Sequence, residues 1–107
     1  MDVKHIRKKM SGYKQQDLKN KIYSEPHFVT VDLILDKLKE CEMKCLYCKQ
    51  DMCATKKEQW TLDRINNLMG HNKDNVVISC LRCNLKRRNI PLEKFKFTKQ
   101  LKIVKLL

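Results

Sequence analysis

The sequence predicts one small α+β domain held by cysteines. Three observations predict it. The chain has 107 residues, enough for a single core that buries only a modest share of its surface. It carries two C-x₂-C pairs, Cys45-Leu-Tyr-Cys48 and Cys80-Leu-Arg-Cys83. Between and around those pairs, short apolar runs of strand character alternate with longer runs of helical spacing.

The elements follow in chain order. Residues 1–28 are polar and basic, and Ile6, Met10 and Tyr13 fall at helical spacing. A short helix and an extended basic arm are both open here, with the first few residues expected to be disordered. Pro26 marks a boundary, so the organisation expected is an N-terminal segment 1–28 and a single domain 29–107 with a basic C-terminal extension. Thr30 or Asp32 is placed to cap a helix starting near Val31. Val31, Ile34, Leu35 and Leu38 share one face of it. Cys41 should end this helix as a small buried side chain, and Cys53 reads in the same way. Cys41-x₃-Cys45 and Cys48-x₄-Cys53 remain competing ligand spacings, and a redox role stays open for Cys53.

Gln59-Trp60-Thr61-Leu62 reads as a short strand, with Trp60 in the core. A polar stretch then runs to a glycine turn at Gly70-His71. Asp74-Asn75 turns the chain into a second strand, Val76-Val77-Ile78. Cys80 to Arg88 has helical character, with Leu81 and Leu85 on one face and Arg82, Lys86, Arg87 and Arg88 as polar positions. Asn89 and Pro91 end or kink it. A knuckle, a hairpin and a helix bearing the second cysteine pair make a treble-clef-like unit. From Leu92 on, basic and apolar residues alternate, and a helix is expected from about Thr98. Phe95, Phe97, Leu101, Val104 and Leu107 would either close the core or form a homodimer interface.

Four thiolates at this spacing suit a tetrahedral zinc ion, so Cys45, Cys48, Cys80 and Cys83 are expected to hold structural Zn²⁺. Ligation would couple to folding and supply what a small core lacks. The competing readings are buried free cysteines and disulfides. Met1 to His5 leads into basic residues with no apolar h-region, and no run approaches membrane-spanning length. An intracellular, reducing compartment is expected, with no membrane association.

The charge points to a partner. The chain carries 24 Lys+Arg against 12 Asp+Glu, a formal +12. Residues 1–28 hold seven basic and three acidic groups, 29–79 eight of each, and 80–107 nine and one. A surplus concentrated after the second cysteine pair favours a polyanion, DNA or RNA, over a merely solvated basic face.

The ordered set Tyr47-Cys48, Trp60-Thr61-Leu62-Asp63-Arg64-Ile65, Gly70-His71, Asp74-Asn75-Val76-Val77 and Cys80-x₂-Cys83-Asn84 resembles the zinc-containing branch of the His-Asn-His (HNH) endonuclease superfamily, in particular its small phage-type and large-DNA-virus-type proteins. The resemblance covers roughly residues 30–88. It implies a treble-clef ββα-metal core with a four-cysteine structural zinc and flanking helices. It also implies a metal-dependent DNA endonuclease or nickase acting on double-stranded or branched DNA, with RNA not excluded. For a viral protein the location would be the nucleus or cytoplasm of a host cell. The catalytic ion, Mg²⁺ or Mn²⁺, falls on Asp63 and Asn84 in this resemblance. The central Asn of the family name matches Asn75, and the lysine that the family often places three residues after the metal-site Asn is replaced here by Arg87.

The residues themselves support part of this. A carboxylate at a strand end and an amide oxygen fixed beside a zinc ligand are suitable hard ligands for Mg²⁺. Arg64 stands where the family has its histidine general base, and a guanidinium cannot accept a proton at ordinary pH. It can clamp a phosphate oxygen. His71 is the remaining histidine in the motif region, either as general base or as a structural or phosphate-contacting group. His5 and His27 lie outside it, in surface or local structural roles. Arg64, Arg82, Lys86, Arg87 and Arg88 are the candidate contacts to the DNA backbone. The alternative function is a catalytically inactive zinc-containing nucleic-acid-binding module, which Arg64 favours.

Overall fold

The computed structural model describes residues 2–106, with side chains through Leu101. Among the described residues it has four helices and one antiparallel two-stranded sheet. Helix α1 runs Val3–Lys19 and α2 runs Val31–Glu40. Strand β1 is Trp60–Arg64 and β2 is Val76–Cys80. Helix α3, Leu81–Arg87, follows β2 directly, and α4 spans Leu92–Leu106.

Within the N-terminal segment, Val3–Lys19 form one long helix, not an arm. Asp2 caps it by accepting from the Lys4 amide, and Ile6 is fully buried in the same core as α2 and the sheet. Thr30 caps α2 through its hydroxyl, which accepts from the Leu33 amide at 3.2 Å. Ile34 and Leu38 then point into the core at one-turn spacing, and Cys41 closes the helix as its C-cap.

Residues 43–52 form the first knuckle. Lys44 and Asp51 pair across it, and Cys45 accepts and donates backbone bonds that close the tight turn. Leu46 donates to the Ile78 carbonyl, which fastens the knuckle to β2. Trp60 and Leu62 of β1 are buried, as are Val76 and Ile78 of β2. The register pairs Trp60 with Cys80 and Asp63 with Val77. Both strands run two residues further than the apolar runs suggest, so Asp63 lies inside the ladder rather than at its end. Helix α4 starts at Leu92, not near Thr98, because the Pro91 carbonyl already accepts from the Phe95 amide. Phe95 closes the core edge-on against Tyr47, whereas Phe97 and Leu101 are exposed. The side chains of Val104 and Leu107 lie outside the described residues. No helix among the described residues is long and apolar enough to cross a membrane.

Candidate functional site

Two knuckles meet at the end of the sheet. The Sγ atoms of Cys45, Cys48, Cys80 and Cys83 all lie within 4.8 Å of one another, with Cys48 and Cys80 at 4.0 Å. A tetrahedral Zn²⁺ with Zn–S bonds of about 2.3 Å sets its sulfurs roughly 3.8 Å apart, so the four can hold such an ion with little movement. Hydrogen bonding from Cys83 holds the Cys45 thiol down to about 4, while burial pushes Cys80 up to about 11. Only a cation among them lets all four ionise together. Cys41 is half-buried and its thiol donates to the Leu38 carbonyl. Cys53 is exposed, contrary to the buried role expected, because its thiol turns to the Thr55 carbonyl at the rim of the knuckle.

The cysteines set the phase of α3. Cys80 caps the helix, with its sulfur accepting from the Cys83 amide. With Cys80 and Cys83 turned inward, Asn84 and Arg87 follow on the same side at helical spacing. Leu85 is consequently 58 % exposed and Arg87 only 2 %. Arg87 is therefore no part of an exposed basic face. Its guanidinium donates to Asp63 Oδ1 at 2.6 Å and to the carbonyls of Arg64, Ile65 and Ile90 at 2.6, 3.0 and 2.9 Å. Arg82 is exposed and pairs with Glu58, whereas Lys86 and Arg88 are exposed with no side-chain partner among the described residues.

Asp63 differs from expectation for the same reason. It is 3 % exposed, and its second oxygen accepts from the Tyr47 hydroxyl at 2.8 Å. Burial pushes its carboxyl above the usual value, against the opposing pull of Tyr47 and Arg87. Tyr47 sits between two of the clustered cysteines, so the carboxylate is gripped from the knuckle on one side and from α3 on the other.

A cleft of about 430 Å³ runs along the free edge of β1, between α1 and α3. Asp63, Arg64, His71 and Asn84 line it, together with Lys9 and Tyr13 from α1. Asn84 donates from Nδ2 to the Thr61 hydroxyl at 3.1 Å. Arg64 donates to the carbonyls of Asn67 and Met69 and so braces the loop before His71. Asn75 holds the same loop from behind. Its Oδ1 accepts from the Asn66 amide, and its Nδ2 donates to the carbonyls of Asn66 and Gly70.

Comparison with protein-family models, curated proteins and solved structures gave no match.

His71 is 3 % exposed and is held by a residue that sequence reasoning missed. Asp17 of α1 accepts from the His71 backbone amide at 2.7 Å and lies 2.8 Å from its ring Nδ1. Burial lowers the His71 pKa, Asp17 opposes that, and Arg64 adds to it. One signal for Asp17 was present. Ile6, Met10, Tyr13 and Asp17 form a stripe at helical spacing, and an acid that continues an apolar stripe is bound for the interior.

Proposed function

We propose that this chain is a zinc-stapled nuclease, which holds nucleic acid on its basic surface and hydrolyses a phosphodiester in the cleft beside β1. Its core would be a treble clef of HNH type, with duplex or branched DNA as substrate. The observation that carries the reading is that Asp63, Arg64, His71 and Asn84, drawn from three separate segments, line one cleft beside four clustered thiols. In that cleft Lys9 and Arg64 are the cations available to phosphate oxygens, and Asn84 offers a neutral polar contact.

The two metal roles differ in how well the residues fit them. Cys45, Cys48, Cys80 and Cys83 fit a structural zinc, which in a closed four-cysteine site supplies folding energy and no open coordination position. A hard divalent ion on Asp63 and Asn84, Mg²⁺ or Mn²⁺, does not fit the side chains as they stand. Both oxygens of Asp63 are engaged by Arg87 and Tyr47, and an ion would have to displace a buried guanidinium.

The closed Asp63 also favours a second reading, a catalytically inactive zinc module that binds nucleic acid. A single assay separates the two. Zinc-loaded protein is incubated with linear, nicked and branched DNA and with single-stranded RNA, in Mg²⁺, Mn²⁺ or chelator, while binding is followed by anisotropy. The nuclease reading expects cleavage of at least one DNA substrate, lowered at least about tenfold by Asn84→Ala. Binding without cutting under every condition assigns the protein to the inactive class. Neither binding nor cutting at low salt removes nucleic acid as the partner.

A further inference from the structure

We infer that Asp17 and His71 form a general-base dyad, in which His71 Nε2 takes the proton of the attacking water and Asp17 is the positioning residue that holds the ring. The inference deepens the nuclease reading and rests on it. It answers a chemical gap in the cleft, since Arg64 cannot accept a proton.

The other candidates for a base are already committed. Asp63 has spent both oxygens on Tyr47 and Arg87. Lys9 Nζ donates to the Trp60 carbonyl at 2.8 Å and to Gln59 Oε1 at 2.6 Å and sits 4.8 Å from the Trp60 ring centroid, contacts that favour its charged form against the downward pull of burial. His71 remains.

Its geometry is that of a ring fixed for one task. Asp17 is 1 % exposed, and its two oxygens are both used on His71, one on the backbone amide and one on the ring. A carboxylate oxygen accepts, so Nδ1 carries the ring hydrogen and Nε2 keeps its lone pair. Nε2 has no hydrogen-bond partner among the described residues, and His71 lines the cleft. Tyr13 stacks on the ring with centroids 4.5 Å apart, and Tyr13 is itself fixed where its hydroxyl accepts from the Leu62 amide. Gly70 permits the approach, because a Cβ there would lie 2.6 Å from Asp17 Oδ2.

Burial favours a neutral imidazole, Asp17 opposes it, and Arg64 adds a smaller push in the same direction as burial. Helix α1 presents Asp17, Tyr13 and Lys9, β1 presents Asp63 and Arg64, and α3 presents only the uncharged Asn84 and the apolar Leu81 and Leu85. Asp17 alone raises the His71 pKa, and burial outweighs it. A latch between α1 and the loop would need only the bond to the backbone amide. The second bond, to the ring, sets the tautomer.

In the hydrolytic step the water oxygen bonds to phosphorus, its O–H bond breaks, and the proton passes to Nε2. The resulting imidazolium is stabilised by Asp17. The P–O bond to the leaving ester oxygen breaks, that oxygen takes a proton from solvent, and His71 returns its proton to solvent.

The test is kcat and KM for DNA cleavage between about pH 5 and pH 9 for wild type, His71→Gln and Asp17→Asn, with zinc content and circular dichroism checked for each. His71→Gln should lower kcat by about 10²–10⁴ and abolish the acidic limb of the profile. Asp17→Asn should lower kcat at least about tenfold with KM unchanged, because the ring can then adopt the other tautomer. Should Asp17→Asn fail to fold, ¹⁵N spectra of the wild-type His71 ring decide, with the Nδ1–H tautomer expected at neutral pH and the Nε2–H tautomer overturning the dyad. Wild-type cleavage with His71→Gln equally active, or with Asp17→Asn altering stability but neither kcat nor the acidic limb, reduces the pair to a latch and leaves the nuclease standing. A wild type that never cuts overturns the nuclease reading and the base role together.

Discussion

Arg87→Ala separates a structural arginine from a DNA-contacting one. The guanidinium makes four hydrogen bonds, one to a buried carboxylate and three to backbone carbonyls. Removing one partner of a buried ion pair costs about 3–5 kcal/mol, because the other charge is left without compensation. The three carbonyls each lose a donor worth on the order of 1 kcal/mol, and water entering the space offsets part of that. A net loss of about 4 kcal/mol is expected, which for a domain of this size lowers Tm by roughly 15–25 °C. Thermal and urea denaturation of the zinc-loaded protein measure it. Arg87→Lys should recover only part, since one ammonium cannot span the fork of acceptors. Replacing both partners, Arg87→Met with Asp63→Leu, should cost less than Arg87→Ala alone, because no charge is stranded. Arg88→Ala is the control. It should leave stability within about 0.5 kcal/mol and flatten the salt dependence of DNA binding by about one unit of slope. The reasoning is refuted if Arg87→Ala costs under about 1 kcal/mol and weakens DNA binding in the way expected of Arg88→Ala.

Further outcomes follow from the same geometry. Mass spectrometry under native conditions should find one zinc per chain; Cys80→Ser should lose it and the cooperative unfolding transition, whereas Cys53→Ser should change neither. Gly70→Ala should destabilise by on the order of 1–3 kcal/mol, since its Cβ would sit 2.6 Å from Asp17 Oδ2 and 2.9 Å from the Ile22 carbonyl. Gly12→Ala, with nothing within 4 Å, should stabilise α1 by roughly 0.5–1 kcal/mol in the same melts. The His71 pKa is lowered by folding, so the unfolded chain takes up that proton first as pH falls. Its contribution to stability is complete above about pH 6.5 and is lost as pH drops through the lower folded value. Denaturation midpoints across that range should lose this dependence in His71→Gln.

What could be read from the sequence is what local chemistry fixes. Thr30 and the spacing of Ile34 and Leu38 define α2, the β-branched run at Val76 defines β2, and the C-x₂-C spacing brings the four sulfurs together. The phase of α3 could not be read from its apolar residues. Leu81 and Leu85 suggest one buried face, but the sulfurs turn the helix so that Leu85 faces solvent and Arg87 faces the sheet. The closure of Asp63 is hidden with it, since the carboxylate's partner comes from the turn of α3 that this phase buries. The role of α1 is hidden for a different reason. Its surface is basic enough to pass for an arm, and the group that matters, Asp17, meets His71 across 54 residues of chain. No local pattern encodes a pairing of that range; only the interrupted apolar stripe hints at it.

These placements divide the cleft into two halves with different supports. On one side, Tyr47 sits between Cys45 and Cys48 and donates to Asp63, Arg87 rides on the helix that Cys80 and Cys83 orient, and Asn84 adjoins Cys83. Each of these three positions depends on the thiol cluster. On the other side, Asp17, Tyr13 and the loop braced by Asn75 hold His71 without touching a cysteine. A metal in the thiol cluster would therefore support Asp63 and Asn84, whereas helix packing supports Lys9, which would meet the phosphate, and His71, which would move the proton. Loss of the metal should loosen Asp63 and Asn84 first, while the His71 ring keeps its partner for as long as α1 remains docked.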